Sequence, residues 1–490
     1  MRLNRRTFVE SALALASASL ASASGGRLLA AEPAGGGTAG AAERLRVGVV
    51  GVNGRGVAHL KSWLAMPDAE VVAICDCDPN AYTLRRGDVL RDRSRQPDYV
   101  QDFRRLIDRK DIDVVSIATP NHWHAVMSIW AMQAGKDVYV EKPCSHTVEE
   151  GRVITQWARK LGRICQMGAQ SRSMPGMRST VDFVRSGRIG DVKVAHALCY
   201  KRRKSIGLVD SPAPLPPGID FDLWAGPAPL EVPKRSKLHY DWHWNHVTGN
   251  GDLGNQNPHE IDKARWGLGK HDLPTRVVST GGRVGYLDNG DTANSQVTVC
   301  RWDDGALLIS EVRGLELKTP TTFGLKPGPL GVATIWWGTT GYAVTPAYTD
   351  GIAFDYEGNE LGRWSEGDER LHFENFVKGV RSRDYHDLNL DIEEGHISSA
   401  IAHLGNISLA LGETCPLGTR PTLAADEKHV RTTFEGFEKH LGENQVDFAA
   451  TPLKLGKELA IDARAERTTD EAANRLLTKD YRKGYELPRV

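Results

Sequence analysis

A strand that runs directly into a glycine-rich turn limits the fold of this chain more than any other feature. Residues Leu45–Gly56 read LRVGVVGVNGRG, an apolar run that ends in closely spaced glycines, and Val57–Met66 then has a helical pattern. A second apolar run, Ala69–Asp76, ends in an acid. Because a glycine turn between a buried strand and a helix lets the backbone approach a pyrophosphate, this order predicts a dinucleotide-binding unit.

The glycine turn has a GxGxxG-like pattern with one substitution. Gly51 and Gly56 stand at its first and third glycine positions, while Asn53 takes the middle position and Gly54 follows it. Asn tolerates left-handed backbone, and Gly54 supplies clearance. Asp76 comes 20 residues after Gly56, where an acid accepts ribose hydroxyls and repels the extra phosphate of NADP. NAD is therefore predicted in preference to NADP, bound by Asp76 and the turn residues Gly51, Asn53, Gly54, Arg55 and Gly56.

Residues 43–168 alternate short apolar runs with helical patterns. The runs Asp113–Ala118 and Asp137–Val140 lie on either side of a helical segment, Trp123–Ala134, and a further helix is expected over Val148–Leu161. Such alternation is typical of a parallel sheet covered on both faces. We therefore predict an α/β Rossmann domain with a doubly wound parallel sheet.

Residues 169–418 change to a period nearer two. Strands are expected over Lys193–Lys201, from Arg276 to about Gly314, and over Thr334–Ala343, with a core helix at Asp391–Leu411. This pattern predicts a substrate-binding α+β domain with a large, mostly antiparallel open sheet. Residues 419–490 are charged and have no clear pattern, so they are interpreted as a C-terminal extension.

The balance of charge argues against polyanionic partners. Lys plus Arg and Asp plus Glu both total 62, so no net charge favours a nucleic acid or an anionic membrane. The seven cysteines are scattered, which favours neither a disulfide framework nor a metal site. We expect no nucleic-acid partner and no bound metal.

Residues 1–42 have the pattern of a targeting segment and a linker. Paired arginines precede a phenylalanine in Asn4–Glu10, a weakly apolar run covers Ser11–Ala23, and an Ala/Gly stretch follows. This order resembles a twin-arginine export signal, which predicts a periplasmic or exported protein. The apolar run is too short and too rich in Ala and Ser for membrane insertion.

The motifs of the first domain together resemble those of the Gfo/Idh/MocA oxidoreductase family. The glycine turn, Asp76, ATPNHWH (Ala118–His124) and EKP (Glu141–Pro143) occur in that order, and the resemblance covers about Leu45–Gly412. It implies a Rossmann domain followed by an open-sheet domain, action on a sugar or polyol, and a homo-oligomer, either dimer or tetramer. It also implies a group of residues at the cofactor: Thr119, Pro120, Asn121, His124, Glu141 and Lys142. Lys142 is further implied to be catalytic or to hold the substrate.

A second-domain stretch, Gly249–Asp262, resembles the family pattern D-x-G-x-H-x-x-D. His259 and Asp262 match, whereas Asn255 replaces the first Asp and Asn257 replaces the Gly. By this resemblance His259 is the catalytic histidine and Asp262 lies near the substrate. Asn255 would orient a substrate hydroxyl, since an amide cannot titrate. The expected chemistry has Lys142 polarise a hydroxyl while His259, with an ordinary pKa near neutrality, accepts its proton.

Two further segments are candidate substrate contacts. Leu238–His246 reads LHYDWHWNH, in which Trp242 and His243 suit the apolar face and the hydroxyls of a sugar. The basic run that begins at Tyr200 and Lys201 could meet an acidic sugar or form a solvated face.

The leading functional prediction is an NAD-dependent oxidoreductase acting on a secondary hydroxyl of a sugar, polyol or glycoside, with tightly bound cofactor. One alternative is a glycoside hydrolase or lyase that oxidises the ring transiently and recycles NAD. The other is a non-catalytic sugar-binding protein on the same fold. The presence of EKP and His259 favours catalysis over binding alone.

Overall fold

The computed structural model describes residues 44–490 apart from 321, 322, 324 and 327–329. The twin-arginine signal and linker predicted at residues 1–42 lie outside the described residues, so export stays a prediction. None of the helices in the described ranges is long and apolar enough to cross a membrane.

The first domain is built on a six-stranded parallel sheet of order β3-β2-β1-β4-β5-β6. Its strands are β1 Leu45–Val50, β2 Ala69–Cys75, β3 Asp98–Val100, β4 Val114–Ile117, β5 Asp137–Glu141 and β6 Cys165–Gly168. The predicted Rossmann fold is confirmed. The three-residue edge strand β3 was not predicted, because its short sequence has no apolar run. Strand order reverses between β1 and β4, which opens a crevice at the carboxyl ends of these strands.

Helices cover both faces of this sheet. They are α1 Gly56–Ala65, α2 Pro79–Gly87, α3 Phe103–Ile107, α4 Asn121–Gln133 and α5 Val148–Leu161. The sequence marks both ends of α5: the Thr147 side chain accepts the backbone N–H of Glu150, and Gly162 ends the helix with φ of 58°. Helix α5 therefore has the bounds that its sequence predicts.

The second domain contains a large mixed sheet with the main order β14-β13-β12-β11-β7-β10-β9-β8-β16-β15. Its strands are β7 Val194–Tyr200, β8 Arg276–Gly282, β9 Ser295–Arg301, β10 Leu307–Arg313, β11 Val332–Trp337, β12 Gly341–Thr345, β13 Asp350–Asp355, β14 Glu360–Ser365, β15 Glu413–Cys415, β16 Leu453–Leu455, β17 Leu459–Asp462 and β18 Arg467–Thr468. Only β7 and β10 pair in parallel within it. The mostly antiparallel sheet is as predicted.

One predicted strand, Thr334–Ala343, is wrong in its bounds. The chain reverses after Trp337, where the Gly338 N–H donates to the Gly341 carbonyl at 2.9 Å, so the segment forms the β11–β12 hairpin. Apolar residues on both sides of this tight turn conceal it in the sequence.

The helices of the second domain lie on both faces of its sheet and between the two domains. They are α6 Pro175–Arg185, α7 Phe221–Ala225, α8 Gly251–Asn255, α9 Pro258–Leu268, α10 Arg370–Ser382, α11 Ile392–Ala410, α12 Lys428–Glu443 and α13 Glu471–Leu476. The predicted core helix is α11, which contacts α5 of the first domain and β8 of the second. It thereby ties the two sheets together behind the crevice.

Much of the range 419–490 packs with the second domain, although the sequence predicts an extension there. Strands β16 and β17 pair with β8. Helix α12 buries the apolar residues Val430, Phe434, Phe437 and Leu441 against the sheet. Intervening charged residues hide this helical stripe from a reading of composition alone. The dimer or tetramer stays a prediction.

Candidate active site

A cleft of about 700 Å³ lies where the two domains meet at the carboxyl ends of β1, β2, β4 and β5. Its walls include the glycine turn, Asp76, Lys142 and His259. Ligands of open α/β sheets bind at this position. The volume falls within the range of small-molecule and cofactor pockets.

The glycine turn needs glycine at two positions. Gly51 has φ of +79°, and a Cβ there would lie 2.8 Å from the Ala118 carbonyl oxygen. A Cβ at Gly56 would lie only 1.9 Å from the Gly51 carbonyl oxygen. Asn53 is not among the described residues with positive φ, so its tolerance of left-handed backbone is not what admits it here. The turn residues Gly51, Asn53, Gly54 and Arg55 line the cleft.

Asp76 lies at the end of β2 and lines the cleft. Its carboxylate accepts the backbone N–H of Val52 at 2.8 Å and that of Asp78 at 3.0 Å. Burial raises the pKa of Asp76 to about 6, although these two hydrogen bonds oppose the shift. The carboxylate is therefore ionised at neutral pH and accessible to ribose hydroxyls.

We expect NAD affinity to depend on the ionisation of Asp76. Ribose hydroxyls that donate to the carboxylate would lower its pKa below about 6, so NAD binding releases a proton near that pH. The affinity for NAD should be constant above pH 6. Below pH 6 it should fall as the pH falls, with a slope that approaches about tenfold per pH unit. Calorimetric titration with NAD between pH 5 and 8 measures this slope.

The matched variant is Asp76→Asn, which should bind NAD more weakly at pH 8 and show a flat profile. An equal slope in Asp76→Asn and the unmodified chain would assign the titration to another group.

The loop after β4 forms a second wall of the cleft through Thr119, Pro120 and Asn121. His124 lies behind this loop, 2.8 Å from the Thr119 carbonyl and 2.6 Å from the Pro143 carbonyl. It thereby joins the loop after β4 to the loop after β5. The buried Asn121 Oδ1 has no hydrogen-bond partner among the described residues.

Lys142 follows β5 directly and enters the cleft. Its ammonium group donates to the Asn255 carbonyl at 2.5 Å, which joins the two domains at this point. Burial lowers the pKa of Lys142 below its ordinary value.

Glu141 holds the neighbouring residues of the glycine turn in place. It accepts from Arg55 at 2.8 Å, His59 at 3.2 Å and Gln170 at 3.2 Å. Burial opposes its ionisation, but Arg55 and His59 outweigh burial and hold the pKa of Glu141 well below its ordinary value. Glu141 is therefore a buried anion that positions Arg55.

His259, on α9, lines the cleft with its Nδ1 buried and without a hydrogen-bond partner. Burial and the nearby Lys142 ammonium hold the pKa of His259 well below its ordinary value, which corrects the expected pKa near neutrality. The imidazole is therefore uncharged at neutral pH and can accept a proton. The Asn255 side chain also lines the cleft, while its backbone carbonyl positions Lys142.

A second uncharged imidazole faces the same space. His243 Nδ1 lies 2.6 Å from the Tyr240 carbonyl, so Nδ1 carries the proton and donates it. Its Nε2 is buried without a partner, and burial lowers the pKa of His243 to about 4. Half-buried Trp242 lines the cleft beside it. Direct contact of Trp242 and His243 with substrate stays a prediction.

Sequence reasoning missed Gln256 and Tyr348, which lie beside His259. Lys201 donates to Gln256 Oε1 at 3.0 Å, and Gln256 Nε2 donates to the Tyr348 hydroxyl at 2.7 Å. The Tyr348 ring meets that of His259 edge-on at 5.2 Å. Lys201 is not among the residues that line the cleft, but it holds the side chain of Gln256, which does line it. Tyr348 stands in a loop between strands, where no local pattern marks it.

Two predicted substrate residues lie elsewhere. Tyr200 is buried on the outer face of the sheet, where its hydroxyl donates to Glu311, because neighbouring residues on a strand point to opposite faces. Asp262 is buried as the partner of Arg172, at 2.8 Å and 2.9 Å. Neither lines the cleft, so the assignment of Tyr200 and Asp262 to substrate is corrected.

The cleft fits NAD. The glycine turn has no room for side chains at Gly51 and Gly56, Asp76 presents an ionised acceptor, and Asn121 Oδ1 is buried without a partner. These features suit a pyrophosphate and ribose or amide groups. No cluster of acidic, histidine or cysteine side chains suited to a metal ion occurs within the described residues.

Comparisons with known proteins match the Rossmann domain to a family. Residues 45–169 match the GFO_IDH_MocA family model, described as an oxidoreductase family with an NAD-binding Rossmann fold. A glycosyl hydrolase family 109 protein of Shewanella pealeana is 32% identical over 156 residues, which are 31% of this chain and 34% of the relative. An alpha-N-acetylgalactosaminidase of Shewanella oneidensis is 31% identical over 154 residues, again 31% of this chain and 34% of the relative. The matched segments thus span about a third of these relatives.

Solved structures share the fold of both domains. Levoglucosan dehydrogenase in complex with NADH and levoglucosan has a TM-score of 0.55 and 19% identity, over 73% of this chain and 95% of that one. The WlbA dehydrogenase of Bordetella pertussis, in complex with NADH and UDP-GlcNAcA, has a TM-score of 0.53 and 18% identity, over 72% of this chain and 93% of that one. Residues 45–169 thus match the NAD-binding Rossmann domain of the Gfo/Idh/MocA oxidoreductase family, and the two-domain fold is shared with these solved structures.

Proposed function

We propose that this protein uses NAD to oxidise a secondary hydroxyl of a carbohydrate. The observation that carries the proposal is that Lys142 from the first domain and His259 from the second line one cleft with the glycine turn. A base and a cation beside a dinucleotide site are the groups that alcohol oxidation requires.

The roles of the two residues follow from their charges. Uncharged His259, which lines the cleft, accepts the hydroxyl proton through its imidazole. The Lys142 ammonium stabilises the alkoxide as it develops, and the Asn255 carbonyl holds that ammonium in place. NAD, when bound, supplies the hydride acceptor. Tyr348 limits the ring orientations of His259 by edge-on contact.

The same cleft suits a sugar ring. Trp242, Tyr240 and Tyr348 provide aromatic faces, and Gln256 and Asn255 provide amides between them. Aromatic faces pack on the apolar faces of sugars, while amides bond the hydroxyls. NAD is proposed over NADP because the Asp76 carboxylate would repel a phosphate on the ribose.

A glycosidase that recycles NAD is a second candidate, favoured by the second imidazole. Cleavage through a transient ketone needs a base for the proton next to the carbonyl in addition to the base for the hydroxyl. His243 Nε2 is buried, uncharged and without a partner, so it could supply the second transfer. The names of the Shewanella relatives fit this candidate. Export through the twin-arginine signal would also favour a cofactor that is recycled in place.

The experiment follows two products from one sample. Full-length protein is incubated with NAD and a panel of nitrophenyl glycosides, with the matching free sugars alongside, while nitrophenol and reduced nicotinamide absorbance are recorded. Accumulating NADH supports the oxidoreductase, and nitrophenol without lasting NADH supports the glycosidase. Sugar binding with neither product would support a non-catalytic sugar-binding protein and overturn both enzymatic proposals.

A further inference from the structure

The cofactor end of the cleft has walls that come from outside the Rossmann domain. Residues 216–226, here the strap, run from the second domain across the ends of β2 and β3. The C-terminal tail, residues 479–488, runs beside the strap. Leu223, Trp224 and Tyr485 from these two segments line the cleft together with Asp76, Phe103 and Arg104. The end of the cleft beyond Asp76 is therefore enclosed by the second domain and the tail.

The strap is attached directly to the nucleotide-binding loops. The Asp220 N–H donates to the carbonyl of Cys77 at 3.1 Å, and Cys77 is the residue that follows Asp76. Side chains of Asn80 and Gln101 donate to the Pro217 and Gly218 carbonyls at 2.9 Å and 3.0 Å. Three hydrogen bonds thus join the strap to the segments that follow β2 and β3, beside the predicted ribose acceptor Asp76.

The strap is also attached to helix α4. Trp123 Nε1 donates to the Leu223 and Trp224 carbonyls at 3.0 Å and 3.1 Å. Gly226 has φ of +51°, and a Cβ there would lie 2.2 Å from the Trp123 ring. The strap therefore packs directly on α4, and the first turn of this helix borders the cleft.

The tail is joined to the strap by hydrogen bonds. Arg482 donates to the Gly226 carbonyl at 2.8 Å, to the Asp222 carbonyl at 2.8 Å and to the Asp222 carboxylate. The Tyr485 hydroxyl donates to Asp222 Oδ2 at 2.9 Å. The hydrogen bonds of these two residues therefore converge on Asp222 and Gly226.

The tail is anchored to the Rossmann domain at three further points. Lys479 pairs with Glu150 at 2.8 Å, the Tyr481 hydroxyl donates to Glu150 at 3.0 Å, and Trp157 donates to the Pro488 carbonyl at 3.0 Å. The Tyr485 ring is buried and meets Trp123 edge-on at 5.4 Å. The tail is thus held against the same domain that holds the nucleotide loops.

We propose that the strap and tail form a latch over the adenosine end of the cleft that retains NAD between turnovers, with Tyr485 forming one wall of the adenine subsite. This inference rests on the proposed function. In a Rossmann domain the acid after β2 bonds the adenosine ribose, so Asp76 marks that end. Leu223, Trp224 and Tyr485 line the same end of the cleft, so the strap and tail would contact the adenosine of a bound dinucleotide. A retained cofactor suits chemistry that regenerates NAD in place.

The test is the rate at which bound NAD leaves. Full-length protein is loaded with radiolabelled NAD, an excess of unlabelled NAD is added, and bound label is followed on filters. Arg482→Ala should release label at least about tenfold faster than the unmodified chain. Arg489→Ala, the same change at the exposed residue that follows the tail, should not alter the rate. Tyr485→Phe keeps the ring but removes the bond to Asp222, so it should give an intermediate rate even if Arg482→Ala misfolds.

The outcomes separate the latch from the proposed function. Rapid release from the unmodified chain, or equal rates in Arg482→Ala and Arg489→Ala at unchanged melting temperature, overturns the latch and leaves NAD-dependent chemistry standing. Failure of the unmodified chain to bind NAD at all overturns both.

Discussion

Lys142→Met is expected to reduce the rate of sugar oxidation by about 10³-fold while NAD still binds. Methionine keeps the length and apolar stem of the side chain but removes the ammonium that faces the developing alkoxide. Because the glycine turn and Asp76 are untouched, NAD affinity should stay within about threefold of the unmodified value. Single-turnover formation of reduced nicotinamide on the active glycoside measures the chemical step, and calorimetry measures NAD affinity.

The matched control for this change is Lys61→Met, at an exposed position on α1. His259→Ala should lower the same rate by about 10²-fold, since it removes the proton acceptor but leaves the cation. Removal of both groups together should cost less than the product of the single effects, because they act on one hydroxyl. A rate for Lys142→Met within about threefold of normal would exclude Lys142 as a catalytic residue.

Gly56→Ala is expected to abolish NAD binding at concentrations that saturate the unmodified protein. The added Cβ would lie 1.9 Å from the Gly51 carbonyl oxygen, a backbone atom that cannot rotate away. The turn must therefore shift from the place where its N–H groups would meet the pyrophosphate. Overpacking of this kind also costs about 1–3 kcal/mol of stability. Calorimetry gives the binding result, and thermal denaturation gives the change in stability.

Gly87→Ala is the control, because a Cβ at Gly87 has no heavy atom within 4 Å. It should leave NAD affinity and melting temperature nearly unchanged. Retained NAD affinity in Gly56→Ala would mean that the dinucleotide does not lie on this turn.

Local contacts determine the features that can be predicted correctly from the sequence. A buried strand, a glycine turn and a helix are consecutive in the chain, so Gly51 and Gly56 can be assigned from spacing alone. Lys142 follows a strand directly, which places it at the carboxyl edge of the sheet. Helix α5 carries its own cap and stop residues.

Errors arose where local patterns do not show direction or partners. The basic run that begins at Tyr200 predicts a substrate contact, but strand alternation turns the Tyr200 side chain to the outer face of the sheet. Asp262 matches the spacing of the family pattern, yet its carboxylate is hydrogen-bonded to Arg172, which lies 90 residues away in the sequence. The pKa of His259 depends on burial and on Lys142 from the other domain, so its ordinary value was a poor guide.

What the sequence by itself determined is a Rossmann domain with its NAD-binding turn, the acid after β2 and the lysine after β5, because each depends on neighbours within a few residues. Only the tertiary structure decided how the cleft is closed. Gln256 reaches Tyr348 across 92 residues, and Tyr485 reaches Asp222 across 263. Such contacts form when separate elements pack together, and no periodicity in the chain records them.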